Sequence, residues 1–348
     1  MILCSLALAL VCAVSLSYIG GVPQYAPWLF VLLVVSALGM SGRLKGALFT
    51  GIDVSALATT LIKFGPAVIM KRINEWKPNE DFQIAKNVKM PLALPKLSSA
   101  GEPRPYRTQQ DTSGNGVTFT DRTLTVNQSK WDHTFDPETY RNTYLAEAGS
   151  QFDPNNLQFW QYLSNKLVDD YLAKVNDNAI LDGVYNASGT ATVDLLDGLV
   201  ETLTNMSLTP VVTGAITAAN AVTKVELVAA AIPAWMRSAG FKIICSWTVF
   251  DFYKTHYRTL NPFGFDMRAA KSFPLDGYNA TLEPRSYMGT SLGLIAVPTD
   301  KKNLWLGTDG ESVAIHATPK LNTIDLRLML PIGLQVADAD AVVINDQL

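Results

Sequence analysis

The feature that most constrains this 348-residue chain is a long polar stretch, residues 82–126, with the pattern of an extended hairpin. It carries Pro91, Pro95, Pro103 and Pro105 and a turn cluster, Asp111-Thr112-Ser113-Gly114-Asn115-Gly116, with short strand-like runs at 117–120 and 124–126. A two-stranded ribbon cannot bury enough apolar surface to be stable alone. It has to lie on something else, and an arm this long often lies on another subunit. Its charged residues have mixed signs, which suits contacts whose register is set by charge complementarity. The candidate intersubunit residues are Lys89, Lys96, Arg104, Arg107, Asp121 and Arg122, and the plain alternative for each is a solvated loop.

The rest of the chain separates helices from strands. Residues 53–76 have a helical period (Leu57, Leu61, Phe64, Val68) that Pro66 bends or breaks. Asp153-Pro154 opens the clearest helix, with Trp160, Leu163, Leu167, Tyr171 and Val175 on one face down to about Ile180. At 1.5 Å per residue its length is about 40 Å. A short helix follows within 190–205, then one across 217–239 kinked at Pro233. Residues 241–245 read as a strand, Ser246 as an N-cap, and 247–260 as a helix. From 281 onward come short strands at 294–297, 303–306, 313–316, 324–330, 334–336 and 341–344. Segregated helices and strands predict an α+β fold rather than a doubly wound sheet.

The first charged residue is Arg43. Residues 2–19 are apolar enough to cross a bilayer, and 28–40 form a second, shorter apolar run. Arg43 and Lys45 would hold that flank in the cytoplasm. Three readings of residues 1–42 are open: a membrane hairpin, a segment removed on maturation, or a true start at Met40.

Sequence motifs for chemistry are missing. There is no phosphate-binding loop, dinucleotide fingerprint or nucleophile elbow. Cys4, Cys12 and Cys245 form no CxxC pair, and the three histidines are far apart. His133, between Asp132 and Asp136, has the composition of a carboxylate-held base but reads better as a surface turn. Asp169 and Asp170 are neighbours on a helix and diverge by about 100°. The aromatic stretch 235–257 lacks interleaved basic residues and reads as core. No catalytic, cofactor or metal site is expected. A net charge of −3 gives no basic footprint for reading nucleic acid.

The order of parts resembles the major capsid proteins of tailed double-stranded DNA phages, the Hong Kong 97-type fold. Residues 51–76 look like that family's N-terminal arm and 82–126 like its extended loop. Phe119-Thr120-Asp121-Arg122-Thr123-Leu124-Thr125-Val126 resembles the returning strand, and 136–145 the segment leading back to the body. Residues 153–180 are placed like the spine helix, and 241–257 like the strand and helix of the axial domain. The most specific series is Glu283-Pro284, Gly289-Thr290-Ser291, Leu294-Ile295-Ala296-Val297-Pro298 and Asn303-Leu304-Trp305-Leu306-Gly307-Thr308-Asp309. The apolar segment 1–42 departs from the family pattern.

The resemblance implies an arm at 43–81, an extended loop at 82–130, a peripheral domain at 131–190 and 281–348, and an axial domain at 191–280. It implies a structural subunit, not an enzyme, without cofactors. The subunit would self-assemble as pentamers and hexamers into an icosahedral head in the host cytoplasm. Its partners would be scaffold and other virion proteins and packaged DNA without sequence specificity, with a membrane only if 1–42 is retained. The alternatives are a membrane-anchored binding protein and an encapsulin-like compartment of the same fold.

Overall fold

The computed structural model describes residues 62, 66, 67, 69–99, 105, 106, 108, 116–136, 157–262, 272–300, 303–320 and 323–348. The apolar segment 1–42, the turn cluster at 111–115, the returning segment at 137–145 and the Asp153-Pro154 helix start lie outside these residues. Among the described residues no helix is long and apolar enough to cross a membrane.

A helical stretch at 69–75 and a 3-10 turn (Lys77–Glu80) lead into β1 (Gln83–Ala85). β2 (Leu92–Ser99) and β3 (Val117–Leu124) follow, then β4 (Asn127–Phe135). The long helix α1 (Leu157–Asn178) comes next, then α2 (Leu199–Thr204), α3 (Ala221–Ala231) and α4 (Ala234–Ala239). β5 (Phe241–Cys245) runs into α5 (Trp247–Leu260). The chain closes with β6 (Phe273–Pro274), β7 (Ala280–Pro284), β8 (Ile295–Pro298), β9 (Leu304–Thr308), β10 (Ala314–Pro319), β11 (Ile324–Val336) and β12 (Val343–Ile344). The class is α+β, as the sequence predicts.

Two sheets organise the body. The first is β1-β9-β11-β10 with β4 on the other edge of β11, and the second is β12-β8-β5-β7-β6. α1 lies against the first. Its Val168, Tyr171, Leu172 and Val175 are buried there with Leu326, Leu328 and Leu330 of β11. Tyr171 Oη hydrogen-bonds Ser129 Oγ of β4, and Ser129 Oγ donates to Leu330 O at 2.5 Å. The second sheet carries its own core, where Val222, Val225 and Val228 of α3 meet Val249, Phe250 and Tyr253 of α5.

Two sequence expectations change. Residues 324–330 and 334–336 form one strand, β11, which runs through Pro331. Thr308 Oγ1 donates to Pro331 O. That carbonyl, and the missing N–H beside it, faces the side where pairing with β10 stops at Met329 and pairing with β9 starts at Ile332. A proline is harmless at such a gap. The helix expected across 217–239 is two helices. Ile232 is extended (ψ 136°), as a residue before proline prefers, so Pro233 breaks the run and does not merely kink it. β8, β12 and all of β7 but Ala280 fall within 281–348 and pair into the sheet of β5, so the two sheets interleave in sequence.

Ser246 caps α5 by accepting from Val249 N at 3.3 Å, and it is fully buried. Ser246→Ala should lower stability by about 1 kcal/mol in urea unfolding, with glycine less costly. A change near zero would mean that the cap contributes nothing.

Candidate functional site: the hairpin and its anchorage

β2 and β3 pair antiparallel from Leu92↔Leu124 to Ser99↔Val117. The hairpin proper is thus 92–124, shorter than the expected 82–130, because β1 and β4 belong to the body sheet. Side chains alternate between its two faces. One face holds Leu92, Leu94, Lys96, Arg122 and Leu124. The other holds Pro95, Leu97, Val117, Phe119 and Asp121.

The first face is gripped at its root. Leu124 is fully buried and Leu94 nearly so, in a cluster with Ala85 and Val88 and against Val126 and Trp305. Two glycines permit the close approach. A Cβ on Gly333 would stand 2.0 Å from Thr125 O, and one on Gly307 would stand 2.7 Å from Val126 Cγ2. Gln335 Nε2 donates to Thr123 O at 2.9 Å. Lys96 Nζ reaches Asp338 Oδ1 at 2.6 Å and Asp340 Oδ2 at 2.5 Å.

The turn carrying those two carboxylates is itself stapled. Asn303 Nδ2 donates to Asp338 O and Ala341 O, both at 3.1 Å, while its Oδ1 accepts from Asp338 N at 2.7 Å. The run Asn303 to Asp309 therefore has a physical reading. Asn303 sets the turn that holds Lys96, Gly307 admits the hairpin root, and Thr308 satisfies Pro331. Asp309 accepts from Glu311 N and Ser312 Oγ to close the next turn.

The second face is open. Phe119 is 68% exposed, Leu97 61% and Val117 57%. Leu97 and Phe119 are direct cross-strand partners, so these side chains make one apolar patch.

The sequence candidates divide accordingly. Within the chain Lys89 pairs with Glu311, and Lys96 with Asp338 and Asp340. Their partners therefore include residues of their own subunit. Asp121 is exposed and Arg122 half-buried on opposite faces. Arg104 and Arg107 lie outside the described residues. The apolar trio was missed as a site because its alternation reads as an ordinary half-buried strand. Only the register shows that nothing covers it among the described residues.

His133 is not in a surface turn. It lies in β4 with its ring 4.1 Å from that of Trp131, while Asp132 points to the other face and pairs with Arg327. His256 is on a helix, as expected, but buried there: its Nδ1 accepts from Val222 N at 3.1 Å at the start of α3. Asp169 and Asp170 diverge, to Arg72 and Lys166.

A second feature left no sequence signal. Asp81 is 1% exposed and sits between the two sheets. Its Oδ1 accepts from Lys242 Nζ at 2.5 Å and Arg285 Nη2 at 2.9 Å, and its Oδ2 from Arg285 Nε at 2.5 Å and Tyr287 Oη at 2.9 Å. Burial pushes the Asp81 carboxyl up, but the Arg285 hydrogen bonds and the Lys242 and Arg285 charges outweigh it and hold the group below the usual carboxylate range. One carboxylate thus joins the 3-10 turn before β1 to β5 and the end of β7.

No family model and no curated protein matches the sequence. Solved structures do. The capsid of an empty GTA particle aligns at 13% identity over 78% of this chain and 89% of that one, with a TM-score of 0.50. The satellite phage P4 procapsid, in a structure that includes the size determination protein, aligns at 13% identity over 80% and 98%, at 0.48. The SrpI encapsulin complex from Synechococcus elongatus aligns at 9% over 77% and 85%, at 0.45.

Asp81→Asn leaves buried Lys242 without its counter-charge, while half-buried Arg285 keeps Glu283 and Glu80, and should cost about 3–5 kcal/mol in urea unfolding at pH 7. Because the folded carboxyl titrates below its unfolded value of about 3.9, its contribution is complete above that pH and lost as pH falls through the lower folded value. The wild-type chain should lose this share of stability below about pH 4, and the Asn variant should show no such loss. The interleaved sheets, the long helix packed on the first of them and the projecting hairpin, together with the likeness to the GTA capsid, give this chain the Hong Kong 97-type capsid fold.

Proposed function

We propose that this chain is the structural subunit of a closed icosahedral protein shell, the head that encloses the DNA of a tailed phage. The observation that carries the reading is the hairpin with one face fixed to its own body and the other apolar and uncovered among the described residues. A soluble chain that held Phe119, Leu97 and Val117 in water permanently would forgo about 1.5–3 kcal/mol for each large side chain. A neighbouring copy recovers that energy, and rigid anchorage at the root lets the arm meet it without first being ordered.

Copies arranged head to tail present the same arm and the same receiving surface all around a ring, which suits closed rings of five and six. Weak contacts summed over such a shell give stability by multivalency. In this reading DNA fills the interior without being read by sequence, scaffold and other virion proteins assist assembly, and assembly takes place in the host cytoplasm. Lys89, Lys96, Asp121 and Arg122 serve the arm at its root and along its length, and Arg104 and Arg107, between the two strands in sequence, serve contacts between copies. The chain acts as a building unit rather than a catalyst.

Leu97→Asp with Phe119→Asp should separate folding from assembly. Both side chains are exposed, so the monomer's unfolding free energy should move by no more than about 0.5 kcal/mol. Gradient sedimentation and negative-stain microscopy should find closed shells for the wild-type chain and free subunits for the variant. Shells of normal form from the variant would overturn the reading.

A further inference from the structure

The shell reading gives no role to one buried titratable group, His256 of α5. It is 9% exposed, and its Nδ1 accepts from Val222 N at 3.1 Å. Val222 is the second residue of α3, and an amide at that position has no acceptor inside its own helix. An asparagine stands at the usual capping position, Asn220, but its side chain is turned back. Its Oδ1 accepts from Thr217 N at 2.7 Å and its Nδ2 donates to Ala215 O at 3.1 Å. Among the described residues the imidazole is therefore the one acceptor for Val222 N. A ring from another helix, 34 positions along the chain, takes the place of an N-cap.

An imidazole can fill this place in one charge state only. To accept at Nδ1 the ring must be neutral, with its proton on Nε2. Once protonated, Nδ1 is a donor facing a donor, and a cation stands at the positive end of a helix dipole. The charged groups on the surrounding elements are otherwise placed. On α3 they are Lys224 and Glu226, and Glu226 is exposed, so water screens it. On α5, Asp251 pairs with Lys254, Tyr257 Oη donates to Asp276 of the turn before β7, and Arg258 is exposed. Tyr253, one turn from the ring, is buried, and Glu283 of β7 pairs with Arg285. Among the described residues none of these groups bonds to the ring.

The contact matters because of what α3 carries. Its Val222, Val225 and Val228 pack with Val249, Phe250 and Tyr253 of α5 in the core of the second sheet. We propose that His256 is an acid-sensitive latch between α3 and α5. Neutral, it caps α3 and ties its first turn to α5; protonated, it releases that turn. Imidazole is the side chain that ordinarily changes charge between about pH 5 and 8. The release therefore comes in milder acid than the loss at Asp81, which falls below about pH 4. The latch belongs to the single chain and does not depend on the shell reading.

Hydrogen exchange of the full chain at about pH 7.5 and about pH 5.5, expressed as protection relative to the intrinsic rate at each pH, tests this. Protection of residues 221–225 should fall about tenfold at the lower pH, through the loss of a cap and the cation placed at the helix start. Residues 241–245 should keep theirs. In His256→Asn, Oδ1 hangs from Cγ as Nδ1 does and does not titrate, so protection should stay high at both pH values. His256→Ala should be low at both. No fall in the wild type, or an equal fall in the Asn variant, overturns the latch. NMR of chains carrying isotope-labelled histidine gives a second readout that needs no substitution. The His256 Nδ1 should be unprotonated at neutral pH, and its protonation should share a midpoint with the loss of protection in α3. A ring that carries its proton on Nδ1 at neutral pH, or that protonates while α3 stays protected, overturns it.

Discussion

A pair of strands has two faces, and the described residues of this chain cover only one of them. The grip on that face depends on how closely two backbones approach. Gly333 and Gly307 carry no Cβ, so Thr125 and Val126 can cross directly over β11 and β9, and Leu124 sinks into the space that remains. Close packing at this root gives the arm a direction, because a buried leucine between two strands has few alternatives. Lys96 adds a charged tie farther out. Its net stabilisation is small, since exposed ion pairs gain little in water, but it keeps the first face of the hairpin turned toward the body.

The same logic extends inward through Asp81. Burying a carboxylate is costly, and two cations and a phenol offset that cost only in one geometry. We read the cluster as a device for fixed placement. It ties the turn before β1, strand β5 and the end of β7 to a single point, and β1 pairs with β9, whose Gly307 receives the hairpin. The relation between the two sheets and the direction of the arm are therefore set by neighbouring elements.

Much of this was legible in the sequence. The proline-punctuated stretch announced an arm, the apolar stripe from Leu163 to Val175 announced the long helix, and Ser246 marked the start of α5 correctly. The misreadings share a cause. Residues 324–330 and 334–336 read as two strands because the sequence does not show that β11 continues through Pro331 while changing partner there. His133 looked like a turn residue because its flanking aspartates suggested exposure, whereas in β4 Asp132 simply faces the other way and Asp136 lies beyond the strand's end. The Asp81 cluster joins residues 161 and 204 positions apart, and no local pattern reports on such a meeting. The series from Asn303 to Asp309 was recognisable as a pattern, but its role as the seat of the hairpin appears only in three dimensions.

The central claim is that the outer half of the hairpin is uncovered in the single chain and covered by a sister copy. Limited proteolysis of freshly dissociated subunits and of reassembled particles, with cleavage sites mapped by mass spectrometry, measures this directly. The account expects early cuts between Leu97 and Phe119 in the subunits and resistance there in the particles, with the body intact in both. A hairpin that resists cleavage equally in the isolated subunit would contradict it.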